Sequence, residues 1–131
     1  MGKISVSQKA IIFNKECKIL ALYRSETAPS RPNTWDFPGG NLDFGENTTK
    51  GILREVKEET GLDIKELTIF DVASKIDKEG EFWVTIVYKA KTNFDKVVLS
   101  FEHTKFKWVT PEEFLELESS ETQKRFINNL K

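Results

Sequence analysis

The spacing of hydrophobic and polar residues divides the chain into short segments that have the character of β-strands. β-Branched and aromatic residues dominate six of these segments, which is the composition expected of strands. The predicted strands cover residues 5–13, 17–24, 35–37, 67–76, 82–92 and 106–109. Polar or proline-containing stretches separate several of them as turns or loops. A break is also expected at Pro38-Gly39-Gly40, directly after the third predicted strand.

A different spacing, with apolar residues three and four positions apart, predicts a helix over residues 47–60. Ile52, Leu53 and Val56 lie on one side of this helix and are expected to form its buried face. Gly61 is suited to end the helix, because glycine readily adopts the left-handed conformation found just after many helices. The segment is therefore expected to be an amphipathic helix with a defined end.

Two shorter helices are predicted towards the end of the sequence. Thr110 followed by Pro111 is a typical helix start, and Ser119 or Ser120 can cap a last helix. Strands and helices are interspersed, and several strands form hairpin-like pairs. This order predicts an α/β (α+β) fold in which helices flank a mixed β-sheet.

Length and charge limit the organisation of the chain and its partners. The 131 residues contain no visible linker, repeat or low-complexity segment, which predicts a single domain over residues 1–131. Lys and Arg number 20 against 21 Asp and Glu, a net charge of −1. Neutralising the phosphates of a nucleic acid requires an excess of cations, so nucleic acid is not an expected partner. No membrane-spanning run of apolar residues and no secretory signal is visible, so a cytoplasmic location is expected.

Cys17 is the only cysteine, which excludes a disulfide within the chain and a thiolate metal cluster. Because it falls in a predicted strand, the expectation is a buried and chemically inert thiol.

Residues 40–62 combine several acidic residues with helical spacing. On the predicted helix, Glu55, Glu58 and Glu59 stand at i, i+3 and i+4 and share one face. Like charges at this spacing repel one another, and a hard divalent cation would relieve the repulsion because carboxylate oxygens are its natural ligands. The alternative is an ordinary solvated face on which glutamates and lysines alternate.

The residues around these glutamates favour the metal-binding interpretation. Glu46 lies just before the helix, where its carboxylate can reach the same site. Arg54 flanks the acidic face and can orient a glutamate through a two-pronged contact. Gly39 and Gly40 allow the backbone to approach closely, so that a carbonyl group there can also face a metal.

The same segment resembles the Nudix box, G-x5-E-x7-R-E-aliphatic-x-E-E-x-G-aliphatic. Every specified position is filled, by Gly40, Glu46, Arg54, Glu55, Val56, Glu58, Glu59, Gly61 and Leu62. Two further stretches, 35–40 and 102–113, are similar to the segments that flank the box in many family members. The resemblance implies the Nudix fold, a mixed β-sheet sandwiched between α-helices, with the box as a loop-helix-loop. It also implies hydrolysis of a nucleoside diphosphate linked to another group, with Mg²⁺ or Mn²⁺ as cofactor.

The resemblance also implies roles for individual residues. The metal ligands would be the carboxylates of Glu55, Glu58 and Glu59 and the backbone carbonyl of Gly40, with Glu46 supporting these ligands or joining them. Arg54 would position a glutamate. The general base would be Glu58 or Glu59, or else Glu102, which can also reach the metal from a neighbouring loop.

Outside the box, the sequence leaves several roles open. Arg24 and Arg31 can contact a polyphosphate, although solvated arginines are an equal alternative. A base can stack on one of the aromatic side chains Phe37, Phe44, Trp83 and Tyr88, unless these belong to the core. Gln123 or Asn128 can read a base edge. His103, the only histidine, is either catalytic or structural.

The substrate follows from what the sequence lacks. Family members that hydrolyse ADP-ribose often carry a proline some sixteen residues after the box, and dinucleoside polyphosphate hydrolases a tyrosine. Residues 76–80, Ile-Asp-Lys-Glu-Gly, contain neither. The favoured function is therefore a MutT-like hydrolysis of a (d)NTP to a (d)NMP and pyrophosphate, in the service of nucleotide-pool sanitation.

Three alternatives stay open. They are an ADP-ribose or nucleotide-sugar pyrophosphatase, an RNA-cap hydrolase, and a catalytically silent nucleotide-sensing or protein-binding module. Family members are often homodimers, and the sequence leaves this open.

Overall fold

The computed structural model describes residues 3–130 and contains seven strands and three helices within them. The strands are β1 (Ile4–Phe13), β2 (Ile19–Arg24), β3 (Trp35–Asp36), β4 (Gly39–Asn41), β5 (Lys65–Ile76), β6 (Phe82–Lys91) and β7 (His103–Val109). The helices are α1 (Thr48–Thr60), α2 (Pro111–Leu115) and α3 (Glu121–Asn128). All six predicted strands are present, with shifted ends.

The strands form one mixed sheet with two branches. In the larger branch, β1 pairs in parallel with β6 and antiparallel with β4, and β6 pairs antiparallel with the edge strand β5. In the smaller branch, β2 pairs antiparallel with both β3 and β7. The branches meet where Phe13 of β1 pairs with Ile19 of β2. The prediction of a mixed sheet is confirmed.

Two hydrophobic clusters show that helices cover both faces of the sheet. Ile52 and Val56 of α1 pack in a cluster with strand residues that include Leu22. Phe114 of α2 and Phe126 of α3 belong to a second cluster, together with other strand residues. The sheet therefore lies between α1 on one side and α2 with α3 on the other, as the fold prediction requires.

The ends of α1 are held by the residues suited to that role. The side chain of Asn47 accepts a hydrogen bond from the backbone N–H of Lys50 at 3.0 Å and caps the start. Gly61 has a φ of +73°, and its N–H donates to the carbonyl of Lys57 at 2.9 Å. The helix is therefore fixed at both ends, which sets the rotation of its glutamates.

Three local predictions were wrong. Cys17 is exposed, with a φ of +61°, in a turn in which the Asn14 side chain accepts from the N–H groups of residues 16 and 18. Leu53 is 39% exposed, so the buried face of α1 is formed without it. The expected break after β3 is confined to Phe37 and Pro38, whereas Gly39 and Gly40 belong to β4, which pairs with β1.

Within residues 3–130, none of the helices has both the length and the apolar character needed to cross a membrane.

Candidate active site

Arg54 of α1 holds three glutamates together. Its Nε donates to Oε2 of Glu46 at 2.8 Å, its NH1 to Oε1 of Glu58 at 2.6 Å, and its NH2 to Oε1 of Glu55 at 3.1 Å. Hydrogen bonds to Glu46 and then Glu58 raise the pKa of Arg54 above its usual value. The guanidinium thus offsets the repulsion that these carboxylates would otherwise exert on one another.

Glu46 is tied to the loop before α1 as well as to the helix. Its Oε1 accepts from the backbone N–H of Asp43 at 3.1 Å. The hydrogen bond from Arg54 is the main reason that its pKa is lowered. Glu46 therefore remains ionised and links the loop to the face of the helix that carries Glu55 and Glu58.

Glu55 lies directly against β4. A Cβ atom placed on Gly40 would be only 2.4 Å from Oε2 of Glu55, so this carboxylate occupies the space where a side chain would begin. Burial raises the pKa of Glu55 in spite of the nearby charge of Arg54. Glu55 can thus lie here because Gly40 has no side chain.

Glu59 is the buried member of the group. The backbone N–H of Gly39 donates to its Oε1 at 2.9 Å. Burial raises the pKa of Glu59 to about 7, although the positive charge of Lys9 acts in the opposite direction. A carboxyl with such a pKa exchanges its proton readily near neutral pH, as a general base must.

The two remaining predicted acids are more open to solvent. The side chain of Glu58 is 56% exposed, at the open side of the cluster. Glu102 is exposed in the turn before β7, and its charge contributes to the raised pKa values of Glu55 and Glu59. The structure therefore brings the predicted acids into one neighbourhood, formed by α1, β4 and the turn before β7.

This donor set fits a hard divalent cation. Oxygen atoms of like charge are held close together, and Gly40 leaves open the space that Glu55 fills. Among residues 3–130, no three acidic, histidine or cysteine side chains already form a complete metal cage. The carboxylates of Glu46, Glu55 and Glu58 are instead bonded to Arg54. The assignment of Gly40, Glu46, Glu55, Glu58 and Glu59 to a metal stays a prediction.

A second charged cluster lies next to the acidic helix and was not predicted. Asp36 is fully buried and accepts hydrogen bonds from Lys9 at 3.0 Å, Arg31 at 3.2 Å, Arg24 at 3.5 Å and Gln123 at 2.8 Å. Burial by itself raises the pKa of Asp36, but the charges of Lys9 and Arg31 outweigh it and hold the pKa well below its usual range. One carboxylate thus anchors three cations.

This cluster changes the interpretation of several predicted substrate contacts. Arg24 and Arg31 point to Asp36, and the amide of Gln123 is buried against the same carboxylate rather than open to a base. Phe37 is fully buried and stacks on Phe114 at 4.8 Å between ring centroids, so its prediction as a substrate contact was wrong.

The sequence did hold a signal for this cluster. Lys9 precedes an uninterrupted apolar run, and Asp36 stands between two aromatic residues of a predicted strand. A charge in such a context has to be buried with a partner.

The structure also shows the surroundings of the remaining aromatic candidates and of His103. Tyr88 is buried and accepts a hydrogen bond from Gln8 at 2.8 Å, so it cannot stack on a base. Trp83 donates from its indole N–H to Asp77 at 2.9 Å, whereas Phe44 is fully exposed. His103 is buried, and its pKa is lowered to about 4 by burial and by the charge of Lys9. These environments assign Tyr88 and His103 to the interior.

An open groove of about 460 Å³ is lined in part by Phe101 and Thr104, which lie on either side of Glu102 in the sequence. Its walls come from the end of β2, the following loop and the turn before β7, namely Tyr23, Ser25, Glu26, Thr27, Asn33, Phe101 and Thr104. Its volume lies within the range of small-molecule sites, roughly 300–1,000 Å³.

The fold is a β-sheet between helices, and its glutamate-rich loop-helix-loop packs against Gly39 and Gly40. These are the features of the protein class that the sequence predicted. The chain belongs to the NUDIX domain family, whose sequence profile matches residues 4–130. It is thus a Nudix pyrophosphohydrolase, and enzymes of this family typically depend on a divalent metal. The prediction of the family is confirmed.

Individual relatives are similar to the chain over most of its length. A MutT-like protein of Streptomyces ambofaciens is 29% identical over 112 residues, 86% of this chain and 68% of that protein. The asymmetrical bis(5'-nucleosyl)-tetraphosphatase of Mus musculus is 34% identical over 91 residues, 63% of this chain and 60% of that protein. The chain therefore corresponds to about two thirds of the length of these relatives or less.

Solved structures agree with this assignment. The MutT protein from Methanosarcina mazei Go1 superposes with a TM-score of 0.83 at 28% identity, covering 97% of this chain and 92% of that one. An Ap4A hydrolase of C. elegans, solved as a binary complex, superposes with a TM-score of 0.78 at 26% identity, covering 96% and 94% of the two chains.

Proposed function

We propose that the protein hydrolyses a nucleoside triphosphate to a nucleoside monophosphate and pyrophosphate, with Mg²⁺ or Mn²⁺ as cofactor. The observation that carries this proposal is the set of glutamates that Arg54, Gly39 and Gly40 hold together in the neighbourhood of Glu102. Removal of oxidised or otherwise unwanted nucleotides is the biological role that fits such an activity.

The roles follow from the surroundings of each carboxylate. Glu55, Glu58 and Glu59, with the Gly40 carbonyl, hold the cation, which when bound offsets phosphate charge and lowers the pKa of water. Glu58 or Glu59 takes a proton from the attacking water, because both stand on the acidic side of α1 that would hold the cation. Glu102 is the alternative base, since it approaches the same site from the turn before β7.

Arg54 and Glu46 act by positioning. Arg54 contacts four carboxylates at once, including that of Asp43, so it determines where Glu55 and Glu58 stand relative to the backbone of β4. Glu46 holds the guanidinium from the other side. Neither group needs to touch the substrate to be required for turnover.

Water attacks one phosphorus atom of the substrate, and the P–O bond to the bridging oxygen breaks. The proton of the water passes to the general base, and the pyrophosphate or nucleotide leaves with the bridging oxygen. The substrate is a small molecule, and the open groove of about 460 Å³ that Phe101 and Thr104 help to line is large enough to hold part of one.

Dinucleoside tetraphosphate hydrolysis is the second candidate. It is favoured by the similarity to the mouse tetraphosphatase at 34% identity and to the C. elegans Ap4A hydrolase at a TM-score of 0.78. It requires the same bond cleavage and the same glutamates, and differs only in what the substrate carries beyond the phosphates.

A product screen separates these activities. The protein is incubated with nucleoside triphosphates, oxidised triphosphates, diadenosine tetraphosphate and ADP-ribose, with Mg²⁺ or Mn²⁺, and the products are identified by mass. We expect a monophosphate and pyrophosphate from a triphosphate, and no turnover by Glu58→Gln. Release of ATP and AMP from diadenosine tetraphosphate alone would favour the second candidate. Two monophosphates would indicate an ADP-ribose or nucleotide-sugar hydrolase, and no turnover of any substrate would contradict the proposal.

A further inference from the structure

Gln8 of β1 is a buried polar residue on the face of the sheet that α1 covers. It is only 1% exposed. Ala10 and Ile12, two and four residues further along β1, belong to the apolar cluster in which α1 packs, and residues at this spacing point to the same side of a strand. An amide in such surroundings has to be hydrogen-bonded, because burying it without a partner is unfavourable.

The side-chain amide of Gln8 joins the start of α1 to the centre of the sheet. Its Nε2 donates to the carbonyl oxygen of Thr48, the first residue of α1, at 3.0 Å, and to the hydroxyl of Tyr88 on β6 at 2.8 Å. Its Oε1 also lies against the helix, because a Cβ atom on Gly51 would be 3.0 Å from it. Among the hydrogen bonds of residues 3–130, the bond to Thr48 is the one through which a strand side chain reaches the backbone of α1.

The backbone of Gln8 lies against the two glycines of the acidic site. Gln8 pairs with Gly40 where β1 and β4 run antiparallel. A Cβ atom on Gly39 would overlap the carbonyl oxygen of Gln8. One residue therefore contacts both parts of the acidic site, β4 through its backbone and α1 through its side chain.

This double contact affects the glutamates because they lie against the same two glycines. The Oε1 atom of Glu59 accepts from the N–H of Gly39 at 2.9 Å. The carboxylate of Glu55 fills the space beside Gly40. A displacement of α1 along the sheet would change both contacts, so the position of the helix determines where these carboxylates stand.

The apolar contacts of α1 do not fix that position by themselves. Ile52 and Val56 pack with Leu22 and other apolar side chains, and hydrophobic contact has no preferred direction. A hydrogen bond, in contrast, depends on both the distance and the alignment of its atoms. The bond from Gln8 to Thr48 therefore sets where α1 begins relative to β1 and β4.

We propose that Gln8 is a positioning residue for the metal site, whose amide holds the first turn of α1, and thereby the glutamates of that helix, in place against β4. This inference rests on the proposed function, in which Glu55, Glu59 and the Gly40 carbonyl help to hold the cation. Gln8 touches neither the metal nor the substrate and acts through the position of the helix alone.

A pair of variants isolates the bond between Gln8 and Thr48. Gln8→Met combined with Tyr88→Phe removes both hydrogen bonds of the amide, keeps an unbranched side chain and leaves no unpaired tyrosine hydroxyl. Tyr88→Phe alone is the matched control, because it removes one hydrogen bond of the same amide and keeps the bond to Thr48. Each protein is titrated with Mg²⁺ in the absence of nucleotide, and the half-saturating concentration is read from the rise in melting temperature.

We expect the double variant to need at least about tenfold more Mg²⁺ than the wild type, and Tyr88→Phe to stay within about twofold of it, since groups that orient metal ligands affect metal affinity by roughly 10–100-fold. Urea unfolding with a chelator present measures the stability of each protein separately. A purely structural role of Gln8 would lower the free energy of unfolding and leave the half-saturating Mg²⁺ concentration unchanged. Gln8→Asn, whose amide is one methylene group shorter, replaces a double variant that does not fold.

The outcomes separate this inference from the proposed function. Equal half-saturating Mg²⁺ concentrations in the wild type and the double variant would overturn the positioning role and leave the proposed hydrolysis untouched. An equally large effect in Tyr88→Phe, or a wild-type melting temperature that Mg²⁺ does not change, would also overturn it. A tenfold difference in a protein that hydrolyses none of the nucleotides would support the role of Gln8 and contradict the proposed function.

Discussion

The carboxylate of Glu55 lies over the Cα of Gly40, in the space that a Cβ atom on residue 40 would take, with 2.4 Å between that position and Oε2 of Glu55. The strand that carries Gly40 and the helix that carries Glu55 thus meet without a side chain between them. This close approach depends on a glycine at position 40. It can be tested by adding a single methyl group.

Gly40→Ala should displace the Glu55 carboxylate and lower metal affinity and turnover by about 10–100-fold, the usual effect of disturbing the groups around a metal ligand. The end of a flexible side chain can move away, so the free energy of unfolding should change by no more than about 1 kcal/mol. Steady-state kinetics over a Mg²⁺ titration measure the effect. Unchanged metal affinity and turnover in Gly40→Ala would contradict the steric explanation.

Glu59→Gln should abolish turnover and yet stabilise the metal-free protein. The pKa of Glu59 in the folded chain, about 7, lies above the ordinary glutamate value of 4.5, so folding favours the protonated carboxyl and stability is lost as the pH rises through 7. At about 1.4 kcal/mol per pKa unit, the variant should gain about 3 kcal/mol at pH 8, and the gain should vanish near pH 4. Urea unfolding with a chelator present measures this. A variant less stable than the wild type at pH 8 would show that burial does not penalise the charge of Glu59.

His103→Gln should abolish the loss of folding stability that protonation of His103 causes below pH 6.5. The pKa of His103 in the folded chain, about 4, lies below the ordinary histidine value of 6.5, so protonation favours the unfolded chain as the pH falls below 6.5. This amounts to about 2 kcal/mol between pH 7 and pH 4.5. Protonation of Glu59 stabilises the fold over the same pH range. The stability of the wild type should therefore change little between pH 7 and pH 4.5, whereas His103→Gln should become more stable on acidification. Parallel pH profiles for the two proteins would refute this prediction.

Asp36→Asn should destabilise the fold by about 3–5 kcal/mol at pH 7, because it leaves Lys9, Arg24 and Arg31 without their shared carboxylate. The pKa of Asp36 is depressed in the folded chain, so its contribution is present above the ordinary aspartate value of 3.8 and is lost as the pH falls below it. Denaturant unfolding at pH 7 measures the loss. Asp63→Asn is the control, because Asp63 forms only an exposed ion pair with Lys57 and should cost less than about 1 kcal/mol.

Mg²⁺ should raise the melting temperature of the wild type, and a chelator should reverse the rise, because a ligand that binds only the folded state stabilises it. Glu59→Gln should respond much less. Glu66→Gln is a matched control, since Glu66 is exposed and pairs only with Lys91, and it should respond fully. A response that survives in Glu59→Gln would place the metal elsewhere.

Much of the acidic site was predictable because its information is local. Helical spacing places Glu55, Glu58 and Glu59 close together whatever the helix packs against, and Gly61 ends that helix through its own backbone conformation. Arg54 is likewise within reach of Glu58, four residues away on the same helix. These relationships follow from helix geometry alone.

The predictions that were wrong depended on contacts between distant segments. Phe37 was expected to meet a substrate but packs on Phe114, and Cys17 was expected inside a strand that begins two residues later. Leu53 has the right spacing for the buried face, but it is 39% exposed in the folded chain. Spacing shows that a helix has an apolar side, whereas its neighbours determine how wide that side is.

Six of the seven strands, the end of α1 at Gly61, the family and the residues of the acidic helix could be predicted, because each rests on neighbouring residues or on a continuous motif. That Gly39 and Gly40 meet Glu59 and Glu55, and that Asp36 binds Lys9, Arg24, Arg31 and Gln123, became visible only in the folded chain. Those groups are 15 or more residues apart for the glycines and up to 87 for Asp36 and Gln123. A pKa depends on burial and on nearby charge in three dimensions, which is why the different states of Glu59, Asp36 and His103 emerge only in the folded chain.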